Sequence, residues 1–284
     1  MVTAQERPGL VAAQGARSAR SLLLTVLGEF IYPRDGRAWT GTLISALGAL
    51  GVEEKAARQA ISRAGGEGLL VAVRHGRRVQ WELTGTGAQI LREGTDRIYS
   101  FMTAHHPWDG QWLILNVAVP ETQRKLRHQL RTRLSWLGLG SLAPGLWIVP
   151  DISKEVAVRD ILESLQLADR AFAWRGKSIP LGTTQTLSSN IWDLENVEKE
   201  YLTFIEQFEN LNASSPSRAF IGQVELIEQW RRFPFLDPDL PTELLQHDWP
   251  GPRAAACFHK KRTQWHRQAQ AYWDHLDLST AAKS

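Results

Sequence analysis

Apolar residues recur with two different periods along the first hundred positions. Leu22, Leu23, Val26, Leu27 and Phe30 follow helical spacing behind Ser18, a possible cap, and so predict a first helix. Thr40 can cap a second helix bearing Leu43, Ile44 and Leu47, after which Gly48 to Gly51 supply a loose turn. A third helix is predicted from Glu53 to Ala64. At about 100° per residue, Ala56, Ala57, Ala60, Ile61 and Ala64 fall on one side of it, and Lys55, Arg58, Gln59, Ser62 and Arg63 on the other. Then the period becomes two. Val71, Val73, Val79, Trp81 and Leu83 alternate with other residues around His75, Gly76, Arg77 and Arg78, predicting a hairpin with a basic glycine tip.

Three helices, a glycine turn and a basic hairpin in one segment are the expected parts of a winged helix-turn-helix. The outward face of the third helix has base-reading chemistry: Arg forks onto guanine, Gln pairs bidentately with adenine, and Ser donates or accepts. The hairpin tip suits a phosphate backbone. Candidate DNA-binding residues are therefore Thr40, Lys55, Arg58, Gln59, Ser62, Arg63, His75, Arg77 and Arg78. The same stripe also reads as a solvated polar face.

Downstream, Thr84 to Phe101 reads as a linking helix. A strand is predicted from Trp112 to Val119, and Pro120 and Glu121 then open a helix carrying Leu126, Leu130, Leu134 and Leu137. Strands at Leu139 to Leu142 and Leu146 to Val149, a helix from Ser153 to Gln166 and an extended Ala171 to Trp174 complete the order βαββαβ, the ferredoxin-like arrangement. Gly176 to Asn190 is rich in Thr, Ser and Gly and suits a linker. Helical stripes resume at Leu194, Val197, Tyr201, Phe204, Ile205 and Phe208, then from Ser217 to Phe233, then from Ala254 to Leu276.

The expected fold class is α+β and multi-domain: an N-terminal winged helix-turn-helix, a central ferredoxin-like domain and a mainly helical C-terminal domain. The expected boundaries are a disordered leader over 1–16, the DNA-binding domain with its linking helix over 17–101, the middle domain over 102–176, a linker over 177–190 and the helical domain over 191–284.

Charge sharpens this picture. The net formal charge is only +3, yet Glu53 to Arg78 holds six cations against three acids, so the positive surface is concentrated. A lone cysteine, Cys257, excludes an intramolecular disulfide framework and a thiolate zinc cage. No apolar run approaches the roughly 18 residues of a membrane span, so a cytoplasmic chain without membrane contact is expected. The adjacent His105 and His106 point in different directions and lack a completing ligand set, which favours a loop role over a metal site. Some relatives of the ferredoxin-like subunits of CRISPR adaptation are metal-dependent nucleases that use an acidic residue near the end of strand one. Here Asn116 lies in that strand, and an amide cannot supply the carboxylate a hard cation prefers. No nucleophile elbow or phosphate-binding glycine loop appears, so no enzyme, cofactor or metal is expected.

Three long strings carry a family resemblance: SLLLTVLGEFIYPRDGRAWTGTLI with GVEEKAARQAISR, then Trp108 to Pro150, then RRFPFLDPDLPTELLQHDWPG from Arg231 to Gly251. In this order they resemble the PaaX family of bacterial transcriptional repressors. The resemblance implies double-stranded operator DNA as partner, the ferredoxin-like middle domain, and an acyl-CoA effector, typically phenylacetyl-CoA, acting on an aromatic-acid catabolic operon. A homodimer is expected from half-site geometry.

A coenzyme A ester needs cations, ring contacts and an apolar slot, which makes Arg231, Arg232, Phe233 and Phe235 the candidate ligand-binding residues. A packing role for this proline-framed stretch is the other reading. Arg124, Lys125, Arg127, Arg131 and Arg133 suit DNA or coenzyme A phosphates, or a solvated helix face. The competing functions are an acyl-CoA-processing enzyme and an effector-independent DNA-binding protein.

Overall fold

The computed structural model describes residues 18–103, 108–177 and 184–282. It is a mixed helical and β-stranded protein with a mainly helical C-terminal region, and its chain forms two compact units.

The first unit draws on Met1–Arg97, Leu211–Gln229 and Lys260–Ser284. The Ser18 side chain accepts from the Ser21 amide and starts helix α1, Ala19–Val26, which runs on into a single π-helical turn at Leu27–Ile31. Leu22, Leu23, Val26, Leu27 and Phe30 are all buried, as their spacing requires. Helix α2, Thr40–Ala49, and helix α3, Glu54–Gly66, follow, with the turn between them completed by Gly51 at φ +83°. Thr40 does not cap α2. Trp39 occupies the cap position, and the Thr40 hydroxyl donates to the Val79 carbonyl (2.9 Å) while accepting from the Trp81 indole (3.0 Å).

A short strand, β1 (Arg37–Trp39), joins β2 (Leu70–His75) and β3 (Arg78–Leu83) in an antiparallel sheet of order β1-β3-β2. The hairpin turn is only Gly76-Arg77, with Gly76 at φ +62°. Pairing of His75 with Arg78 sets odd positions of β2 opposite even positions of β3. Val71 and Val73 therefore share a face with Glu82 and Gln80, away from Trp81 and Leu83, and Val71 is exposed.

Buried charge ties this segment to residues far along the chain. Glu29, 2% exposed in the π turn, accepts from the Gln223 amide (2.6 Å) and the Arg262 guanidinium (3.0 Å). Buried Glu228 accepts from the hydroxyls of Ser21 and Thr25. Gln223 and Glu228 lie on helix α9, Pro216–Trp230, and Arg262 on the last helix, α11, Gly251–Ala282. Apolar contacts reinforce the link, with Phe30 stacked on Trp273 at 5.6 Å and packed on Phe220 at 4.9 Å.

The second unit draws on Ile98–Asn210 and Trp230–His259. Strands β4 (Gln111–Val117), β5 (Gly140–Ala143), β6 (Leu146–Val149) and β7 (Ala171–Lys177) form an antiparallel sheet of order β5-β6-β4-β7. Leu113, Leu115 and Val117 pack with Leu130 and Leu134 of α5 (Arg124–Trp136) and with Val158 and Leu162 of α6 (Glu155–Ser164). On the other face, Trp112 and Ile148 pack with Ile191, Trp192 and Leu244.

The Thr, Ser and Gly-rich stretch expected as a linker contains a helix, α7 (Thr184–Ile191), while residues 178–183 lie outside the described residues. The buried Ser188 hydroxyl donates to the Leu244 carbonyl at 2.7 Å and helps fix that helix. Helix α8, Leu194–Phe208, buries the whole predicted stripe from Leu194 to Phe208.

The irregular stretch after α9 holds one helical turn, α10 (Phe233–Leu236), and then Asp237. The Tyr201 hydroxyl donates to buried Asp237 at 2.6 Å, and the Asp239 amide donates to its other oxygen at 2.8 Å. Burial pushes the Asp237 carboxyl up to about 6 against the opposing pull of these hydrogen bonds; burial also raises the Tyr201 hydroxyl.

Two stability predictions follow from the buried carboxylates. Replacing Arg262 by Leu removes the permanent cation from buried Glu29 and leaves it Gln223 and His266, so urea unfolding of Arg262→Leu is expected to show a loss on the order of 3 kcal/mol. Asp237 holds its proton more tightly folded than unfolded, so its contribution is full below about pH 4 and disappears as pH rises through about 6. Between pH 4 and 7, the wild type is expected to lose on the order of 3 kcal/mol relative to Asp237→Asn, read as the difference between their urea midpoints across that range.

Candidate nucleic-acid interface

Helix α3 has two chemically distinct sides. Ala57, Ala60, Ile61 and Ala64 are buried, and the small alanines allow close packing beside α1. Lys55, Arg58, Gln59, Ser62 and Arg63 are all exposed. Arg58 is the exception to an open face: its guanidinium pairs with Glu54 one turn earlier, at 2.7 Å. Both partners are solvated, so this pair is weak and yields easily to a competing acceptor. The side chains of Lys55, Gln59 and Ser62 make no hydrogen bond with another described residue.

Support for the helix comes from its ends. Arg20 of α1 donates to Glu67, just past the end of α3, at 2.7 Å, and this hydrogen bond holds the Glu67 carboxyl below the usual carboxylate range. Thr84 donates to the Gly68 carbonyl at 2.6 Å and accepts from the Gly87 amide, fastening the hairpin's exit. A Cβ on Gly87 would meet the Leu69 carbonyl oxygen at 2.2 Å, so helix α4, Gly85–Ser100, can approach there only without a side chain.

The hairpin separates its cations. Arg77 is exposed at the tip. Arg78 turns inward, with its guanidinium 3.8 Å from the Trp39 ring centre and donating to the Thr280 carbonyl at 3.1 Å. His75 sits edge-on to the same Trp39 ring at 5.4 Å. Trp39, His75 and Arg78 thus form a root for the hairpin, while Arg77 at the tip and Arg74 on β2 are exposed. Thr40, committed to Val79 and Trp81, lies with that root. The Trp39 stack and its Thr280 partner had no periodic signal in the sequence, because β1 is three residues long and Thr280 lies over 200 positions away.

The proposed ligand stretch divides likewise. Phe233 is buried and stacked on Tyr201 at 4.2 Å. Arg232 pairs with Glu200 at 3.3 Å, and Arg231 is half-buried. Phe235 is exposed and meets exposed Trp136 edge-on at 5.5 Å, an aromatic pair that the sequence reading missed. Of the helix α5 cations, Arg127 donates to the Glu121 carbonyl and Arg133 to Ser164, while Arg124, Lys125 and Arg131 are exposed. His105 and His106 lie outside the described residues. Among the described residues, no cluster of three His, Cys, Asp or Glu side chains is placed to hold a metal, and no helix is long and apolar enough to cross a membrane.

Comparison with known proteins agrees along the chain. Residues 18–87 match the model of the PaaX-like protein family, 105–188 the PaaX protein central Cas2-like domain, and 192–275 the PaaX-like protein C-terminal domain. The chain is 32% identical over 247 residues to the transcriptional repressor PaaX of Escherichia coli K12, covering 82% of this chain and 76% of that protein. It also resembles the solved structure of the uncharacterized protein Rv0674 from Mycobacterium tuberculosis, with a TM-score of 0.63 at 23% identity, over 92% of this chain and 99% of the other. With family segments in order from residue 18 to residue 275 and that level of identity to a full-length relative, the chain belongs to the PaaX family of transcriptional repressors.

Proposed function

We propose that this protein is a homodimeric repressor of an aromatic-acid catabolic operon, reading its operator through a winged helix-turn-helix and released by an acyl-CoA such as phenylacetyl-CoA. The observation that carries the reading is the division of α3 into a buried alanine side and an exposed side of Lys55, Arg58, Gln59, Ser62 and Arg63. Gln59 and Ser62 are uncommitted polar groups of the kind that read base edges, and Arg58 needs only to exchange Glu54 for a guanine edge. Arg77 at the hairpin tip supplies a phosphate contact, with Arg78 and His75 holding the tip in place.

In this reading the middle domain is ferredoxin-like, as its strand order β5-β6-β4-β7 supports. Arg232 and Phe235 contact the effector, with Arg231 beside them and Phe233 as their buried support. The effector favours an arrangement in which the two recognition helices no longer match successive half-sites. Coupling of about 2.7 kcal/mol suffices to weaken operator binding roughly 100-fold. No step of this scheme consumes the thioester.

Anisotropy titration of a promoter fragment from the protein's own locus tests the scheme. Phenylacetyl-CoA is expected to dissociate the specific complex intact while free phenylacetate does not; release by neither compound contradicts the effector assignment. Arg232→Ala is expected to keep operator affinity and lose most of that response. Gln59→Ala is expected to reduce preference for the operator over a scrambled duplex by about 1–3 kcal/mol. Arg77→Ala is expected to weaken both duplexes equally and to lower the logarithmic salt slope by about 0.9. Unchanged preference in Gln59→Ala together with unchanged slope in Arg77→Ala contradicts the DNA-reading surface.

A further inference from the structure

Strand β7 is packed the wrong way round for a plain core strand. Its sequence is Ala-Phe-Ala-Trp-Arg-Gly-Lys, and its register on β4 pairs Ala171 with Val117, Ala173 with Leu115 and Arg175 with Leu113. The alanines therefore face the helical layer, and the large rings take the alternate positions, with Phe172 67% and Trp174 52% exposed. Two methyl groups cannot fill the space that core-facing Val, Ile or Leu would occupy. The result is a pocket of about 340 Å³ between the sheet and α6, open to solvent at Ala173, Arg159 and Arg175. Its apolar lining is formed by Leu113 and Leu115 of β4, Val158 and Leu162 of α6, and the two alanines, with Trp174 of β7 also at its edge.

Charge at the cavity is just as specific. Arg159 of α6 and Arg175 of β7 both line it, and both donate to the carboxylate of Glu155, Arg159 at 3.1 Å and the Arg175 Nε at 3.0 Å. The two guanidiniums outnumber their one carboxylate, and each offers five N–H donors. They hold the Glu155 carboxyl well below the usual carboxylate range, so it remains an anion and the cluster keeps one net positive charge. A slot with an aliphatic wall and a net cationic, bidentate-capable rim matches a small apolar carboxylate, with the chain inside and the carboxylate on the arginines.

We propose that this cavity in the second unit is a binding site for a small apolar carboxylic acid, held by Arg159 and Arg175. The assignment does not rest on the repressor reading, since it concerns binding alone, and it uses none of the residues proposed for the effector. A mere packing void predicts different behaviour. Filling a void leaves stability unchanged or raised and has no ligand to exclude, whereas filling a site removes binding.

Isothermal titration of the full chain with octanoate decides between them. The wild type is expected to bind one octanoate per chain. Ala173→Leu fills the cavity and is expected to weaken binding at least tenfold without lowering the melting temperature; Val158→Phe, from the opposite wall, serves as the second filling variant should Ala173→Leu fail to fold. Arg175→Gln is expected to weaken binding by about tenfold, the loss of one charge-assisted pair. Octanamide, which keeps the chain and lacks the charge, is expected not to bind. Absence of heat with millimolar octanoate, unchanged binding in a folded filling variant, or equal binding of octanamide overturns the proposal.

Discussion

A carboxylate enclosed by protein must be met by donors, and in this chain that requirement falls on Glu29. Burial of an unpaired charge costs several kcal/mol, so the π turn at Leu27–Ile31 settles only where Gln223 and Arg262 reach it. Those partners lie 194 and 233 positions away. Glu228 repeats the arrangement in reverse, an acid from α9 met by hydroxyls of α1. Helix α1 in turn is the neighbour of α3, and Arg20 clamps the end of α3 through Glu67. The exposed face of α3 is therefore presented by a scaffold that includes residues from both ends of the sequence.

On that scaffold, the residues proposed for affinity and those proposed for selectivity are different. The alanine side of α3 gives close packing and leaves the opposite side to carry Lys55, Gln59, Ser62 and Arg63 as exposed groups. At the hairpin, the Trp39 ring takes one of two neighbouring arginines as a partner and the tip keeps the other. Stacking and a carbonyl acceptor fix Arg78, so the geometry of the tip does not depend on Arg77, whose side chain stays available for a phosphate. Concentrating cations here, in a chain whose net charge is only +3, focuses positive potential where the groups proposed to read bases also lie.

What the sequence revealed follows the reach of periodicity. Helical spacing located α1, α3, α8 and the leucine stripe of α5, and the inward and outward sides of α3 were legible residue by residue because a 3.6-residue period runs unbroken through it. Short elements left no such trace. Strand β1 has three residues, and α7 lies in a Thr- and Ser-rich stretch whose local preference is for turns until Ser188 and Ile191 are buried. Parity misled at the hairpin, where a two-residue turn sets Val71 and Val73 on the side away from Trp81. Phe233 read as a ring available to a ligand, yet Tyr201, 32 positions earlier, stacks on it and buries it. Such partnerships depend on tertiary neighbours and have no local signature.

Helix α3 and the hairpin tip, rather than the basic helix α5, are the surface proposed to meet DNA. Hydrogen–deuterium exchange of the full chain with and without its promoter fragment tests this most directly. Added protection is expected within residues 54–66 and 75–78, with no change across 124–136. Protection confined to 124–136, with 54–66 exchanging as in the free protein, would contradict it.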